Sequence, residues 1–387
     1  MRSDRTGQQL IIAGGLIAFV ALGWTGLLMP ALIRDIQGTL GVNDGDMGSA
    51  YLLFTGAFLA GCLVTGWSVP RLGRRPVLLG GIGLLVVGSV GALAPAWPAF
   101  LGAAVLRGFG SGVVEVGVQG LYLYAFSGAF QTRAITSVHF CYSLGATLAP
   151  VALAALLGVT VPWQLAMALI AIPWLVSLVL LGLAPMDGPA RTLGVPSARL
   201  RFGTALVAAS VGIALYVACE AGVSSWLVRF LEDADLGLAA TALTLFWGAM
   251  AVSRLVVARF GSGMPPESLA IGGLLAAAAA LLGAVVIPQV HLSIGLFAVA
   301  GFAFGPVFPG VILLGARIPG RADAVTSVLA STAVVGSIVY PPLMGVISLG
   351  PGLSVAMAGT ALLSALGAAC IVVAARSVAP IRAAAEA

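Results

Sequence analysis

Long apolar runs constrain this chain before any motif is read. Twelve of them lie at roughly 10–33, 47–69, 76–95, 98–126, 132–157, 163–184, 202–231, 237–258, 267–287, 291–314, 322–347 and 352–375. Each matches or exceeds the ~20 residues that a helix needs to cross a bilayer core; the longer ones are expected to tilt. Of the 387 residues, 60% are hydrophobic and only 8% charged, a balance that no soluble domain has. The chain therefore reads as an all-α polytopic membrane protein with twelve transmembrane helices. The opening MRSDRTGQQL runs into apolar sequence as far as Ile33 without a small-residue cleavage site, so it reads as an uncleaved first span.

Charge reports topology. The net charge of +5 comes without any lysine, and the arginines sit in short loops rather than in a basic patch, so no nucleic-acid partner is implied. With the N-terminus inside the cell, Arg2, Arg5, Arg71, Arg74, Arg75, Arg133, Arg191, Arg199 and Arg201 all fall on the cytoplasmic side. So do Arg259, Arg317, Arg321, Arg376 and Arg382. Only Arg34 and Arg229 fall outside, each beside acids, while Arg107 and Arg254 lie within spans. This bias places both termini in the cytoplasm of a cell (inner) membrane. The four cysteines, Cys62, Cys141, Cys219 and Cys370, lie in apolar runs and read as small core residues. Two histidines, His139 and His291, exclude a His-rich metal site. No cofactor is expected. The phosphate loop of an ATP-driven pump and the nucleophile elbow of a hydrolase are both missing from the sequence.

The longest polar connection, PMDGPARTLGVPSARLR, is rich in Pro, Gly and Arg. It divides the chain into an N-terminal six-helix bundle (1–184), a cytoplasmic linker (185–201) and a C-terminal six-helix bundle (202–387). The halves are related. Gly145 and Pro150 in span five are answered by Gly336 and Pro341 in span eleven at equal separation. Arg71-Leu-Gly73 after span two is answered by Arg259-Phe-Gly261 after span eight. Two pseudo-symmetric bundles with a solute site near the midplane are the plan of a secondary transporter.

The fourth span carries the most informative stretch, RGFGSGVVEVGVQGLY. Arg107, Ser111, Glu115 and Gln119 are spaced four apart, on one slowly rotating helix face amid Val, Leu and Gly. A carboxylate at hydrocarbon depth costs at least ~2.5 kcal/mol, so such a residue usually faces the bundle interior and marks an ion or proton path. A carboxyl protonated in one conformation and ionised in another carries a proton. The competing reading is a buried polar pair that fixes helix packing. Glu220 in span seven forms a second row with Tyr216 and Ser224; it is either a second proton group or a residue bonding freed backbone at a helix break. His139 shares span five with Tyr142, Ser143 and Thr147 and reads as a relay or as a hydrogen-bonded core histidine. Trp24, Trp247 and Phe304 offer faces on which a sugar ring can stack, beside the neutral polar groups of Gln119, Tyr142 and Tyr216; aromatic rings in spans are more often packing.

The loop Gly66-Trp-Ser-Val-Pro70-Arg71-Leu-Gly73-Arg74-Arg75-Pro76 resembles the G-x-x-x-D-R-x-G-R-R signature of the major facilitator superfamily. Pro70 stands where that family usually has Asp. Arg107-Gly108-Phe-Gly110-Ser-Gly112 resembles the family's fourth-helix motif. The resemblance covers the whole chain and implies the major facilitator fold, alternating access, a conformational role for Gly66, Arg71, Gly73 and Arg75, and a monomer. Within the superfamily the chain looks most like the fucose-permease-like sugar:proton symporters. The features are Glu115 with Gln119, His139 ahead of Tyr142-Ser-Leu-Gly145, Tyr216-Val-Ala-Cys-Glu220 followed by Ser225-Trp226-Leu227, and Pro341-Pro342-Leu-Met-Gly345. That implies proton-coupled import of a sugar or similar small polar solute, with Glu115, Glu220, Arg107 and His139 in proton coupling. A proton-coupled antiporter exporting drugs or metabolites is the alternative. An intramembrane enzyme or a nontransporting sensor fits the duplicated halves poorly.

Single-cysteine labelling is expected to place residues 71–75 and 185–201 in the cytoplasm and residues 229–235 outside. Labelling of the last group from the inside only would refute this topology.

Overall fold

The computed structural model describes residues 2–94, 96–126, 128–186, 203–231, 235–260, 264–315, 317–318 and 322–386. Most of the expected 185–201 linker lies outside the described residues. Among those residues the chain is helical throughout. In order the helices are α1 (Arg2–Ala31), α2 (Ile33–Leu40), α3 (Asp44–Leu72), α4 (Arg74–Val90), α5 (Trp97–Ala125), α6 (Gly128–Gly158), α7 (Trp163–Ala168) and α8 (Ala171–Leu183). They continue with α9 (Thr204–Phe230), α10 (Leu236–Phe260), α11 (Pro266–Val286), α12 (Val290–Phe304), α13 (Val307–Gly315), α14 (Ala322–Ser348) and α15 (Leu353–Glu386). Twelve spans are long and apolar enough to cross a membrane among the described residues, as the apolar runs predict.

The departures from one helix per span have local causes. Span six breaks between α7 and α8, ahead of Pro173, and span ten breaks at Gly305-Pro306 between α12 and α13. A proline lacks the N–H that would continue the ladder and crowds the preceding turn. The short α2 follows span one and stops at Gly41, whose φ of 66° is left-handed and suits a residue without a Cβ.

Two compact units emerge, Met1–Asn43 with Ser49–Val195, and Asp44–Gly48 with Pro196–Ala387. In the first, α1 packs on α6 and α8, and α4 on α5 and α8. In the second, α9 packs on α14 and α15, and α11 on α12 and α15. The pairing order is the same in both, as a duplicated six-helix plan requires.

What permits these contacts is the absence of a Cβ at particular places. Helices in hydrocarbon gain no hydrophobic drive from meeting each other, so close backbone approach has to supply the attraction. A Cβ at Gly145 would lie 2.0 Å from the Val20 carbonyl oxygen, and one at Gly336 would lie 2.1 Å from that of Ala214. Those are the α1–α6 contact and its counterpart α9–α14. Likewise a Cβ at Gly108 would lie 2.1 Å from the Phe54 oxygen, and one at Gly301 2.1 Å from the Phe246 oxygen. The glycines match from unit to unit, and so do the partner helices.

Within the second unit, Asp44 accepts from Arg229 Nε at 3.0 Å and from Ser348 Oγ at 3.0 Å. The Trp226 indole donates to the Pro341 carbonyl at 2.9 Å. This ties the ends of α9 and α14 together beside the Pro341-Pro342 pair.

Gly301→Ala is expected to destabilise the purified protein by ~1–3 kcal/mol, because the new methyl meets rigid backbone. Gly295→Ala on the same α12 meets nothing within 4 Å and should be neutral or slightly stabilising through helix propensity. Thermal unfolding in detergent checks this, and equal effects at the two positions would contradict the close-packing argument.

Candidate functional site

The polar stripe of α5 splits into two environments. Toward its N-terminal third, Arg107 is 1% exposed. Its Nη1 reaches Met167 Sδ of α7 at 2.9 Å and the Gly88 carbonyl of α4 at 3.4 Å. The guanidinium carbon lies 5.7 Å from the centroid of the Phe100 ring. A Cβ at Gly88 would approach Arg107 Cγ at 3.0 Å, so that glycine makes room for the arginine. Arg107 thus braces α5 against α4 and α7. Its other terminal nitrogen, Nη2, is buried without a hydrogen-bond partner.

Two turns on, Glu115 meets different neighbours. Its Oε1 accepts a 2.7 Å hydrogen bond from Gln119 Nε2, one turn further along the helix. The Cys62 thiol of α3 lies beside it. Among the described residues no cation pairs with Glu115. The arrangement is a half-buried carboxyl whose hydrogen-bond partner is a neutral amide, a group that can lose or gain a proton without breaking an ion pair.

The remaining candidates of the first unit gather where α1 meets α6. His139 stands edge-on to Phe19 with ring centroids 5.7 Å apart. The Tyr142 hydroxyl lies near Gly26, and the Tyr142 backbone closes on Gly23. Trp24, half-buried, follows Gly23 on the same contact. Ser143 donates to the His139 carbonyl at 3.2 Å and Thr147 to the Ser143 carbonyl at 2.8 Å, so these hydroxyls serve their own helix.

In the second unit, sequence reasoning named Tyr216, Glu220, Trp247 and Phe304, and the fold links them. The Tyr216 hydroxyl donates to Glu220 Oε2. Phe304 lies edge-on to Tyr216 with centroids 5.4 Å apart and meets Phe246 at 6.2 Å; Phe246 in turn meets Trp247 at 6.3 Å. The same cluster holds a residue that the site reading passed over. Arg254 of α10 lies within hydrogen-bonding reach of Tyr216. Its Nη2 donates to Met250 Sδ at 3.3 Å, while its Nε is buried without a hydrogen-bond partner. The signal was present: Arg254 is the second of two arginines inside spans, and the tyrosine it meets is on another helix.

The loop between α3 and α4 bends at Gly73, with φ at 86°. Arg71 folds back on its own helix, its Nη1 donating to the Trp67 carbonyl at 2.6 Å and its guanidinium lying 4.3 Å from the Trp67 ring centroid. Arg75 donates to the Gly182 carbonyl of α8. With Pro70 in place of an acid, backbone carbonyls and a ring receive these two arginines. Gly66 lies exposed on α3 one turn before Pro70. Among the described residues no group of His, Cys, Asp and Glu could hold a metal ion.

Residues 14–332 match the model of the Major Facilitator Superfamily. The chain belongs to that superfamily. It is a transporter, not an enzyme. Comparison with curated protein sequences finds no match. Among solved structures, a bacterial homologue of the human lysosomal transporter Spinster, in an inward-facing and occupied conformation, aligns with TM-score 0.78 at 15% identity, covering 95% of this chain and 97% of that one. The same homologue in an inward-facing and unoccupied conformation aligns with TM-score 0.76 at 16% identity, covering 96% and 97%. A D-xylose–proton symporter aligns with TM-score 0.77 at 15% identity, covering 94% and 96%. At such identities the structural likeness establishes the fold alone; the family match reaches the superfamily and not the fucose-permease-like group.

Proposed function

We propose that this superfamily member is a proton-coupled symporter of a sugar or similar small polar solute, working by alternating access. The observation that carries the reading is the Glu115–Gln119 pair. A membrane-depth carboxyl with an amide partner and no paired cation among the described residues is suited to binding and releasing a proton. The amide beside it has hydrogen-bonding capacity left for a solute hydroxyl. Glu220 is the second coupling carboxyl, with His139 as a relay near the α1–α6 contact. Arg107 contributes by fixing α5, and hence Glu115, against α4 and α7. Tyr142, Tyr216, Trp24, Trp247 and Phe304 supply hydroxyls and flat apolar faces of the kind a sugar ring needs. A D-xylose–proton symporter among the structural neighbours agrees with this choice.

In this reading the N-terminal bundle (1–184) and the C-terminal bundle (202–387) are joined by the 185–201 linker. The monomer sits in a cell (inner) membrane with both termini cytoplasmic. The loop Gly66–Arg75 acts in conformational switching. Its arginines are released from backbone carbonyls rather than from a carboxylate when the state changes.

Glu115→Gln is expected to lower solute accumulation driven by a pH gradient by about tenfold per unit of gradient, the driving force of one lost proton. Solute exchange at equal pH should persist. Proteoliposome uptake measures both, and unchanged uphill uptake in the variant would overturn the assignment.

Gln119→Ala leaves a solute hydroxyl unpaired, which costs ~1–3 kcal/mol. Affinity for a transported monosaccharide should fall about tenfold or more, while proton-linked fluorescence changes persist. A wild type that transports only hydrophobic cations would favour the exporter instead.

A further inference from the structure

We propose that the transported solute bears a carboxylate, which Arg254 holds in place of Glu220, so that Glu220 takes up a proton as the solute binds. This rests on the transport reading above and narrows its solute to acidic sugars and related hydroxy acids.

A row of polar groups crosses from α10 to α9. Arg254 lies against the Tyr216 hydroxyl, and that hydroxyl donates to Glu220. A fully buried phenol therefore stands between a cation and a carboxylate, both half-buried. The other helices around them add little charge. On α9, Cys219 donates to the Thr360 carbonyl and Arg229 is paired with Asp44. On α10 the other ionisable side chain is Arg259, whose side chain lies outside the described residues. On α12 the titratable residue is His291, at its first turn; α13 carries none; α14 carries Tyr340, which donates to the Ala356 carbonyl, and Asp323 near its start, whose side chain lies outside the described residues. On α15, Cys370 and Arg376 belong to the second half of the helix, and Arg382 and Glu386 have side chains outside the described residues. Among the described residues of these helices Glu220 is the carboxylate that shares Tyr216 with Arg254.

Arg254 also holds a donor in reserve. A guanidinium carries five N–H groups in a planar fork. One of those on Arg254 goes to a thioether sulfur, a weak acceptor, and Nε is buried with nothing to receive its hydrogen. The edge formed by Nε and a terminal nitrogen is one that a carboxylate takes with both oxygens. A lone hydroxyl would satisfy the hydrogen bond but neither the charge nor the second prong. Tyr216 and Phe304, both fully buried and packed edge-on, give this corner of the second unit a rigid apolar wall.

Charge balance then fixes the coupling. One half-buried guanidinium accommodates one counter-charge. When a solute carboxylate occupies Arg254, an ionised Glu220 becomes a second, uncompensated anion in a poorly solvated place. A proton passed from hydronium to Glu220 restores neutrality, with one O–H bond broken in the hydronium, one formed on the carboxyl and water released. Proton and solute anion therefore enter together, and the empty protein returns with Glu220 facing Arg254 through Tyr216.

The test uses the full chain, with glucuronate and glucose as probes. Binding is followed by intrinsic fluorescence from acid to neutral pH, and uptake is followed in proteoliposomes with an imposed proton gradient. Wild type should prefer glucuronate about tenfold or more, with affinity falling about tenfold per pH unit on the alkaline side, one proton per anion. Arg254→Gln should abolish the preference for the acid. Arg254→Lys, which keeps the charge without the fork, should retain the preference at reduced affinity, and it is read if the Gln variant does not fold. Glu220→Gln should bind glucuronate with little pH dependence, a result that a merely structural role would not produce. Equal binding of the two probes in wild type, or an unchanged pH profile in Glu220→Gln, overturns the inference. Proton-driven uptake of glucose without preference for glucuronate overturns it too and leaves the transport reading standing; proton-driven uptake of neither sugar ends both.

Discussion

Backbone-to-backbone contact through missing side chains is the constraint on which this structure depends. In a soluble protein, helices meet because water expels their apolar faces. In hydrocarbon that drive is absent, and packing must come from atoms brought close together. Gly112 on α5 lies where a Cβ would be 2.0 Å from the Phe58 oxygen, and Gly23 on α1 where it would be 2.0 Å from the Tyr142 oxygen. Gly305, at the end of α12, would strike Ser253 and the Met250 oxygen of α10. These contacts set the spacing of the helices that carry Glu115, Tyr142 and Arg254. Side chains as large as Leu255, Leu343 and Leu362 are meanwhile left exposed, which a lipid surround tolerates and an aqueous one would not. The candidate groups are thus held by rigid contacts on helices rather than by loops.

Much of the fold was legible in the sequence, for a simple reason. A bilayer demands apolar stretches of a fixed minimum length, and composition reveals them directly. The matched Gly145 and Gly336 also announced the duplication, because each is required where α6 or α14 crosses its partner. What could not be read was the interruption of spans six and ten. Pro173 and Pro306 are visible in the sequence, yet Pro150 and Pro341 lie inside unbroken helices. A proline ends a membrane helix or bends it according to whether neighbouring groups satisfy the freed carbonyls, and those neighbours are a tertiary property.

The candidate site was legible along single helices and obscure across them. The four-residue spacing of Glu115 with Gln119 and of Tyr216 with Glu220 predicts neighbours on a helix face, and both pairs are hydrogen-bonded. Periodicity says nothing about which helix faces which. Arg107 sits on the same stripe as Glu115, but its partners come from α4 and α7, elements remote in sequence from α5's polar face. Arg254 sits alone in an apolar run, and its relation to Glu220 exists only because α10 brings it to Tyr216.

The two acids stand in contrasting surroundings. Glu115 and Glu220 lie in different units, and each has a hydrogen-bonding partner four residues away on its own helix. The partners differ in kind. Gln119 is a neutral amide, and among the described residues no cation pairs with the carboxyl it serves. Tyr216 is a phenol with a guanidinium behind it. Among the described residues no ion pair closes on either acid, so the difference lies in what stands behind the bonded partner. Acids on two different spans, α5 and α9, thus sit in different electrostatic surroundings: a neutral amide beside one, and a phenol backed by a guanidinium beside the other.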